Sequence, residues 1–298
     1  VAGLAGFSWF MVVSLRPDDP AVLATVALVY YLVIFALAVA EGEDWLERGE
    51  FLTVFFGYVA RIAPLWLDLS GPRARLMGGW PGTQVLAMAP LSPSAIAFVT
   101  VALGTLTFDG VAETFWWMGL IGENPLEFTG RSAVMGVNSL GLAATWAATA
   151  ATILGALALG RRLAGQGARV FATGPIMLSF LAIAAGYHAA HYFVTLLTAG
   201  QYTLAALNDP LFRGDAILGL PPFYVSFGFL TDRPMMLLVY TVQFAAILGA
   251  HLLAVLLALH LAGRGGAAVR AAAHLPLTVL MVGYTVLGLW LLSTARAA

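Results

Sequence analysis

The chain has 298 residues, 61% of them hydrophobic and 10% charged, with a mean hydropathy of +0.90. A soluble domain carries about a quarter charged residues, so this composition excludes an ordinary soluble protein and predicts an all-α, polytopic transmembrane helix bundle whose first partner is the lipid bilayer. The net charge is −1, with Arg as the only strong base, and Cys is absent; there is no basic block for nucleic acid, no disulfide, and no thiolate ligand or nucleophile.

A helix needs about 20 apolar residues to cross the hydrocarbon core. In chain order that template predicts spans at 1–15 (short), 20–41, 94–121, 133–160, 173–199, 235–262 and 272–293, about seven in a single domain covering 1–298. The first residues, "VAGLAGFSWFMVVSL", lack the basic start and small-residue cleavage site of a signal peptide, and they read as the beginning of an incomplete N-terminal region. Between the second and third spans, "EDWLERGEFLTVFFGYVARIAPLWL" (43–67) mixes Glu47, Arg48, Glu50 and Arg61 with Phe51, Val54, Phe55 and Tyr58. That mixture predicts an amphipathic helix lying in the interface, with Arg48 and Glu50 at the water boundary. The segment 200–234, with its "NDPLFRGD" and "GLPPFY" turns, predicts a long outer loop.

Arginines then divide between two sides. Arg48, Arg61, Arg73, Arg75, Arg161, Arg162, Arg169, Arg264 and Arg270 fall on one, and Arg16, Arg131, Arg213, Arg233 and Arg296 on the other. The richer side faces the cytoplasm by the positive-inside rule, with the short loops 161–169 and 264–270 deciding. The expected location is a bacterial inner membrane.

Ionisable groups inside spans are costly and mark functional sites by default. Here they are Asp109, Glu113, His188, His191 and His251, with His260 and His274 near span ends. His188 and His191, three apart in "AAGYHAAHYF", share a helix face, and so do Asp109 and Glu113, four apart, if the helix continues through Gly110. Counting about 1.5 Å per residue from Ala199 puts His191 ~12 Å and His188 ~17 Å below the outer end of the fifth span, with His251 ~24 Å deep in the sixth. The expected constellation is Asp109, Glu113, His188 and His191, open to the outside, with Tyr240 and Gln243 at similar depth. Asp109, Glu113 and His191 are the expected catalytic groups. Asp109, His188, His191 and His251 are candidate ligands for Zn, Mn, Fe or Cu(II), and such a metal would generate hydroxide from water. Two other readings stand beside this one: the histidines hydrogen-bond across helices as polar glue, or His191 and His251 ligate haem. No phosphate-binding glycine loop, nucleophile elbow or HExxH motif is present.

The strings "EDWLERGEFLTVFFGYVARIAPL", "LGTLTFDG", "AHYFVTLLTAGQ", "NDPLFRGDAILG", "GAHLLAVLLALH" and "VGYTVLGLWLLS" occur in this order along nearly the whole chain. Together they resemble the C-terminal portion of bacterial polytopic membrane proteins labelled fenitrothion hydrolase, which are longer and carry further helices upstream. The resemblance implies hydrolysis of organophosphorothioate esters. By position it points to Asp109 in "TFDG", His191 in "AHYF", His251, His260, and the loop residues Gln201, Asp209 and Asp215. His188 departs from the family pattern, which has an apolar residue there. The alternative function is a non-enzymatic, metal- or haem-binding subunit of a larger membrane redox or transport complex. A transporter, suggested by the interrupted "TFDG" helix, stands third because no inverted repeat is visible.

Overall fold

A computed structural model describes residues 1–127, 130–165, 172–221, 224–263 and 271–294. It is helical nearly throughout. The helices are α1 (Ala2–Val13), α2 (Pro20–Glu41), α3 (Leu46–Gly49), α4 (Phe51–Ala60), α5 (Pro93–Ala112), α6 (Phe115–Leu120), α7 (Arg131–Ala164), α8 (Thr173–Met177), α9 (Phe180–His191), α10 (Phe193–Asn208), α11 (Arg233–Gly263) and α12 (Ala271–Ser293). Among the described residues six stretches are long and apolar enough to cross a membrane: α2, α5, α7, α8 with α9, α11 and α12. This is the architecture of a multi-pass membrane protein. With 12 residues, α1 spans only about 18 Å, less than the hydrocarbon thickness.

Helix starts follow the chain's own caps. Asp19 accepts from the amides of Ala21 and Val22 ahead of Pro20, and Ser92 accepts from Ala95 ahead of Pro93; both supply acceptors to amides that a helix start leaves unpaired. In the middle of the molecule α9 packs along α11, while α5 and α12 pack on α7. The core joins Leu103 of α5, Ile153 and Leu157 of α7, Met177 to Leu181, Ala254 and Leu257 of α11, and Leu277 and Met281 of α12. In lipid, such contacts depend on close packing rather than on exclusion of water. Small residues mark the closest approaches: a Cβ on Gly186 of α9 would stand 2.2 Å from Cβ of Ala250 on α11, and one on Gly141 of α7 would stand 2.5 Å from the Phe108 ring.

The segment 43–67 is not one helix. A 3-10 turn (Glu43–Trp45) leads into α3; the chain then breaks at Glu50, continues as α4, and passes into an antiparallel hairpin, β1 (Leu65–Asp68) with β2 (Arg75–Gly78), registered Leu67 to Leu76. These two strands are the only ones among the described residues. Glu50 is also not at a water boundary. It is 5% exposed, and its carboxylate accepts the amides of Leu52 and Thr53, the Thr53 hydroxyl and the phenol of Tyr30 on α2. Burial opposes its ionisation, but these hydrogen bonds outweigh burial and hold the carboxyl below the usual carboxylate range. That contact is notable because α2 has no buried residue at all.

Two spans end earlier than expected. The stretch 94–121 divides where the Thr114 hydroxyl donates to the Val111 carbonyl at 2.7 Å and accepts the Trp117 amide at 3.1 Å, closing α5 and opening α6. The stretch 173–199 divides at Tyr192, after which α10 leaves the face of α11 that α9 follows. The first nine residues of 200–234 therefore belong to α10, and its remainder is fastened by side chains. Gln201 donates to the Ser226 carbonyl at 3.0 Å and accepts its amide at 2.9 Å; Asp209 accepts the amides of Arg213 and Gly214, both at 2.8 Å. The loop 264–270 and residues 166–169 of the loop 161–169 lie outside the described residues.

Candidate functional site

Three consecutive residues of α5 address three neighbours. Phe108 is fully buried and meets Trp117 edge-on and Gly141 of α7; Asp109 faces α9; Gly110 lies against Leu291 of α12, whose Cδ1 would be 3.2 Å from an added Cβ. One turn before Gly110, Thr107 shares a 2.7 Å hydrogen bond with Tyr284 of the same α12. Helical geometry turns about 100° per residue, so the "TFDG" string is a crossing point of four helices with a carboxylate at its centre.

Asp109 Oδ2 lies 2.6 Å from Nε2 of His191. The His191 side chain is 11% exposed and that of Asp109 25%. The edges of Tyr187 and Tyr192 flank the imidazole, with ring centroids 6.2 and 4.8 Å away. One residue before it, the Ala190 carbonyl accepts a 2.8 Å hydrogen bond from the Gln243 amide of α11, which pins this end of α9 to its neighbour. The pair borders a cavity of about 530 Å3 lined by Asp109, Glu113, His191, Thr195, Tyr240 and Gln243. Here α5 and α9 finish and α11 begins, so the cavity lies at one end of the spans. His191 is the last residue of α9, not about two turns below a span end.

The remaining candidates lie elsewhere. His188 Nδ1 donates to the Ala184 carbonyl at 2.7 Å, and its ring packs on Phe55 of α4 at 4.6 Å. Its partner is thus an aromatic ring on a different helix from the one that Asp109 occupies. His251 Nδ1 donates to Ile247 O at 2.8 Å; its ring neighbours Tyr284, and its buried Nε2 has no hydrogen-bond partner. Neither residue lines the Asp109 cavity, and no group of three His, Cys, Asp or Glu able to hold a metal occurs among the described residues. The donor set consequently does not fit the expected four-ligand metal centre: His188 and His251 are spent on helix packing, and Asp109 already engages the nitrogen of His191 that points toward it. His260 is exposed in the last turn of α11, at the other end of the spans. Gln201 and Asp209 are fasteners of the loop.

Sequence reasoning missed Tyr192 and Thr195, which lie past the break in the fifth span and line the cavity. No Pro or Gly signals that break. The fold and the dyad define a multi-pass helical membrane protein with an Asp–His pair at a cavity near one membrane face. The chain matches no protein-family model, no curated protein and no solved structure.

Proposed function

We propose that the chain is a hydrolase of the bacterial inner membrane, acting on neutral, bilayer-soluble esters of the organophosphorothioate type that the sequence resemblance names. The observation that carries this reading is the 2.6 Å Asp109–His191 pair at the edge of a cavity of about 530 Å3. With Nε2–H donating to the carboxylate, Nδ1 holds the lone pair. A water on Nδ1 gives up a proton as its oxygen bonds to phosphorus; the ester bond to the leaving aryloxide breaks, and the proton on the imidazolium passes to the departing oxygen. Asp109 fixes the tautomer and offsets the positive charge that forms on the ring. Apolar cavity walls from Leu230, Met236 and Val239 suit a substrate that partitions into lipid.

The test uses the full chain in nanodiscs and a nitrophenyl phosphorothioate triester, with nitrophenolate release followed by absorbance. His191→Ala should lower turnover by about 10²–10⁴, the usual contribution of a positioned base, and Asp109→Asn should lower it too. Absence of turnover in the wild type, or unchanged turnover in His191→Ala, would sink the proposal. A second reading, a subunit of a larger membrane assembly, is favoured by α2, in which no residue is buried against the other described residues although its surface is apolar. Native mass spectrometry of the complex extracted from its own membrane distinguishes the two, through co-purifying subunits and inert dyad variants.

A further inference from the structure

A second cavity is larger than the one at the dyad. About 620 Å3 in volume, it lies between α3, α4 and the beginning of α5, and is lined by Glu47, Arg48 and Arg61 together with Val54, Tyr58 and Phe98. That volume falls within the roughly 300–1,000 Å3 typical of small-molecule sites. Ser94, in the first turn of α5, also lines it, which puts it about 22 Å along that helix from Asp109 at 1.5 Å per residue. Because the 20 residues of α5 match the ~30 Å hydrocarbon core, a cavity at the start of α5 sits at the headgroup level of the membrane face opposite the dyad.

Its three charged side chains are not ion-paired with one another or with any other described residue. Among the described residues neither arginine makes an ion pair, and neither does Glu47; the one polar contact of Arg48 is a 3.5 Å approach of Nε to the Asp44 carbonyl. Two guanidiniums and one carboxylate thus border a pocket whose other lining joins the hydroxyls of Thr53, Ser92 and Ser94 to an apolar wall of Val1, Val54, Tyr58 and Phe98, with Tyr58 edge-on to Phe98 at 6.0 Å. Arginine presents a planar fork suited to phosphate. A free phosphate would answer the guanidiniums but leave the apolar wall bare and Glu47 facing a like charge. A phospholipid headgroup that also carries an ammonium answers all three.

We propose that this cavity binds a phosphoethanolamine-headed lipid, its phosphodiester on Arg48 and Arg61, its ammonium on Glu47, and its glycerol and first methylenes along Val54, Tyr58 and Phe98. The experiment is native mass spectrometry on the delipidated full chain, titrated separately with a short-chain phosphatidylethanolamine, a phosphatidylglycerol of equal chain length, and inorganic phosphate. Phosphatidylethanolamine should bind more tightly than phosphatidylglycerol. Arg48→Gln and Arg61→Gln should each weaken it about tenfold or more, the usual loss for a charge-assisted hydrogen bond. Glu47→Gln should erase the preference for the ethanolamine lipid while leaving phosphatidylglycerol binding intact. Equal binding of the two lipids by the wild type would overturn the proposal. So would displacement of the lipid by an equal concentration of inorganic phosphate, or undiminished binding in the double arginine variant. If an arginine variant fails to fold, the lipid preference of Glu47→Gln alone decides.

Discussion

Replacing Gly186 by Ala should loosen the molecule where α9 meets α11 and disturb the dyad at a distance. The added Cβ would stand 2.2 Å from Cβ of Ala250 and 3.1 Å from the Ala246 carbonyl oxygen, whereas ordinary contact begins near 3.4 Å. The two helices must therefore separate by roughly 1 Å, or slide, and overpacking of this kind typically costs about 1–3 kcal/mol. His191 lies five residues further along, about 7.5 Å up the same rigid helix. A shift of that size at Gly186 is large beside a 2.6 Å hydrogen bond. Unfolding of the purified chain in mixed detergent micelles gives the stability. Ala250→Gly removes the atom that clashes, so the double variant should recover most of the loss, whereas Ala250→Gly alone should be mild. A Gly186→Ala protein as stable as wild type, or a loss that Ala250→Gly fails to repair, would refute the close approach on which this reasoning rests.

Glu50→Gln should destabilise the protein by about 1 kcal/mol at neutral pH, the usual worth of a helix cap. Because the folded-state pKa of Glu50 is lowered, its contribution is complete above the unfolded-state value and disappears as pH falls through the folded one; unfolding of wild type and variant should converge in acid, and a constant gap would contradict this. His251→Leu should leave stability unchanged or raise it by about 1 kcal/mol, since it removes a buried acceptor that has no partner, and a clear loss in the same unfolding assay would show that Nε2 is engaged. Cysteines placed at Arg162 and at Leu211 should react with an impermeant maleimide from opposite sides of intact cells, with Arg162 protected from outside; labelling of both from one side would overturn the topology.

The long apolar runs are legible because twenty-odd hydrophobic residues have few other uses: α2 matches the expected 20–41, and α7, α11 and α12 begin and end within a few residues of their expected bounds. The juxtaposition of Asp109 and His191 was legible for a related reason, since two ionisable groups in apolar runs at similar depth have little else to pair with. His188 was misplaced because three residues along a helix still rotate a side chain by about 60°, and α9 has neighbours close enough together for that angle to exchange Asp109 for Phe55. The break at Tyr192 carries little local warning, because hydrophobic residues continue across it and periodicity read over a window blends the two sides. The hairpin from Leu65 to Gly78 does carry one, in Pro64 and the Ser70-Gly71-Pro72 turn between its strands, and a helix drawn to Leu67 runs through Pro64 and stops short of that turn. Glu50 belongs at the water boundary by its charge alone, yet it is buried and held there by four hydrogen bonds that it accepts, three of them from Leu52 and Thr53 in the first turn of α4.

The arrangement of Phe108, Asp109 and Gly110 toward three different helices fixes how the gene encoding α5 can change in length. One codon inserted or deleted between Pro93 and Thr107 rotates everything downstream by about 100°, so that the aromatic ring, the carboxylate and the glycine each inherit the wrong neighbour at once. Substitutions in α5 can be absorbed one contact at a time, but a frame-preserving insertion cannot. In α2, where no residue is buried, the same insertion would displace one hydrogen bond, that of Tyr30 to Glu50. Length variation in this protein should therefore be borne more easily in α2 than in α5, and the stretch from Ser92 to Gly110 should keep its residue count even where its residues differ.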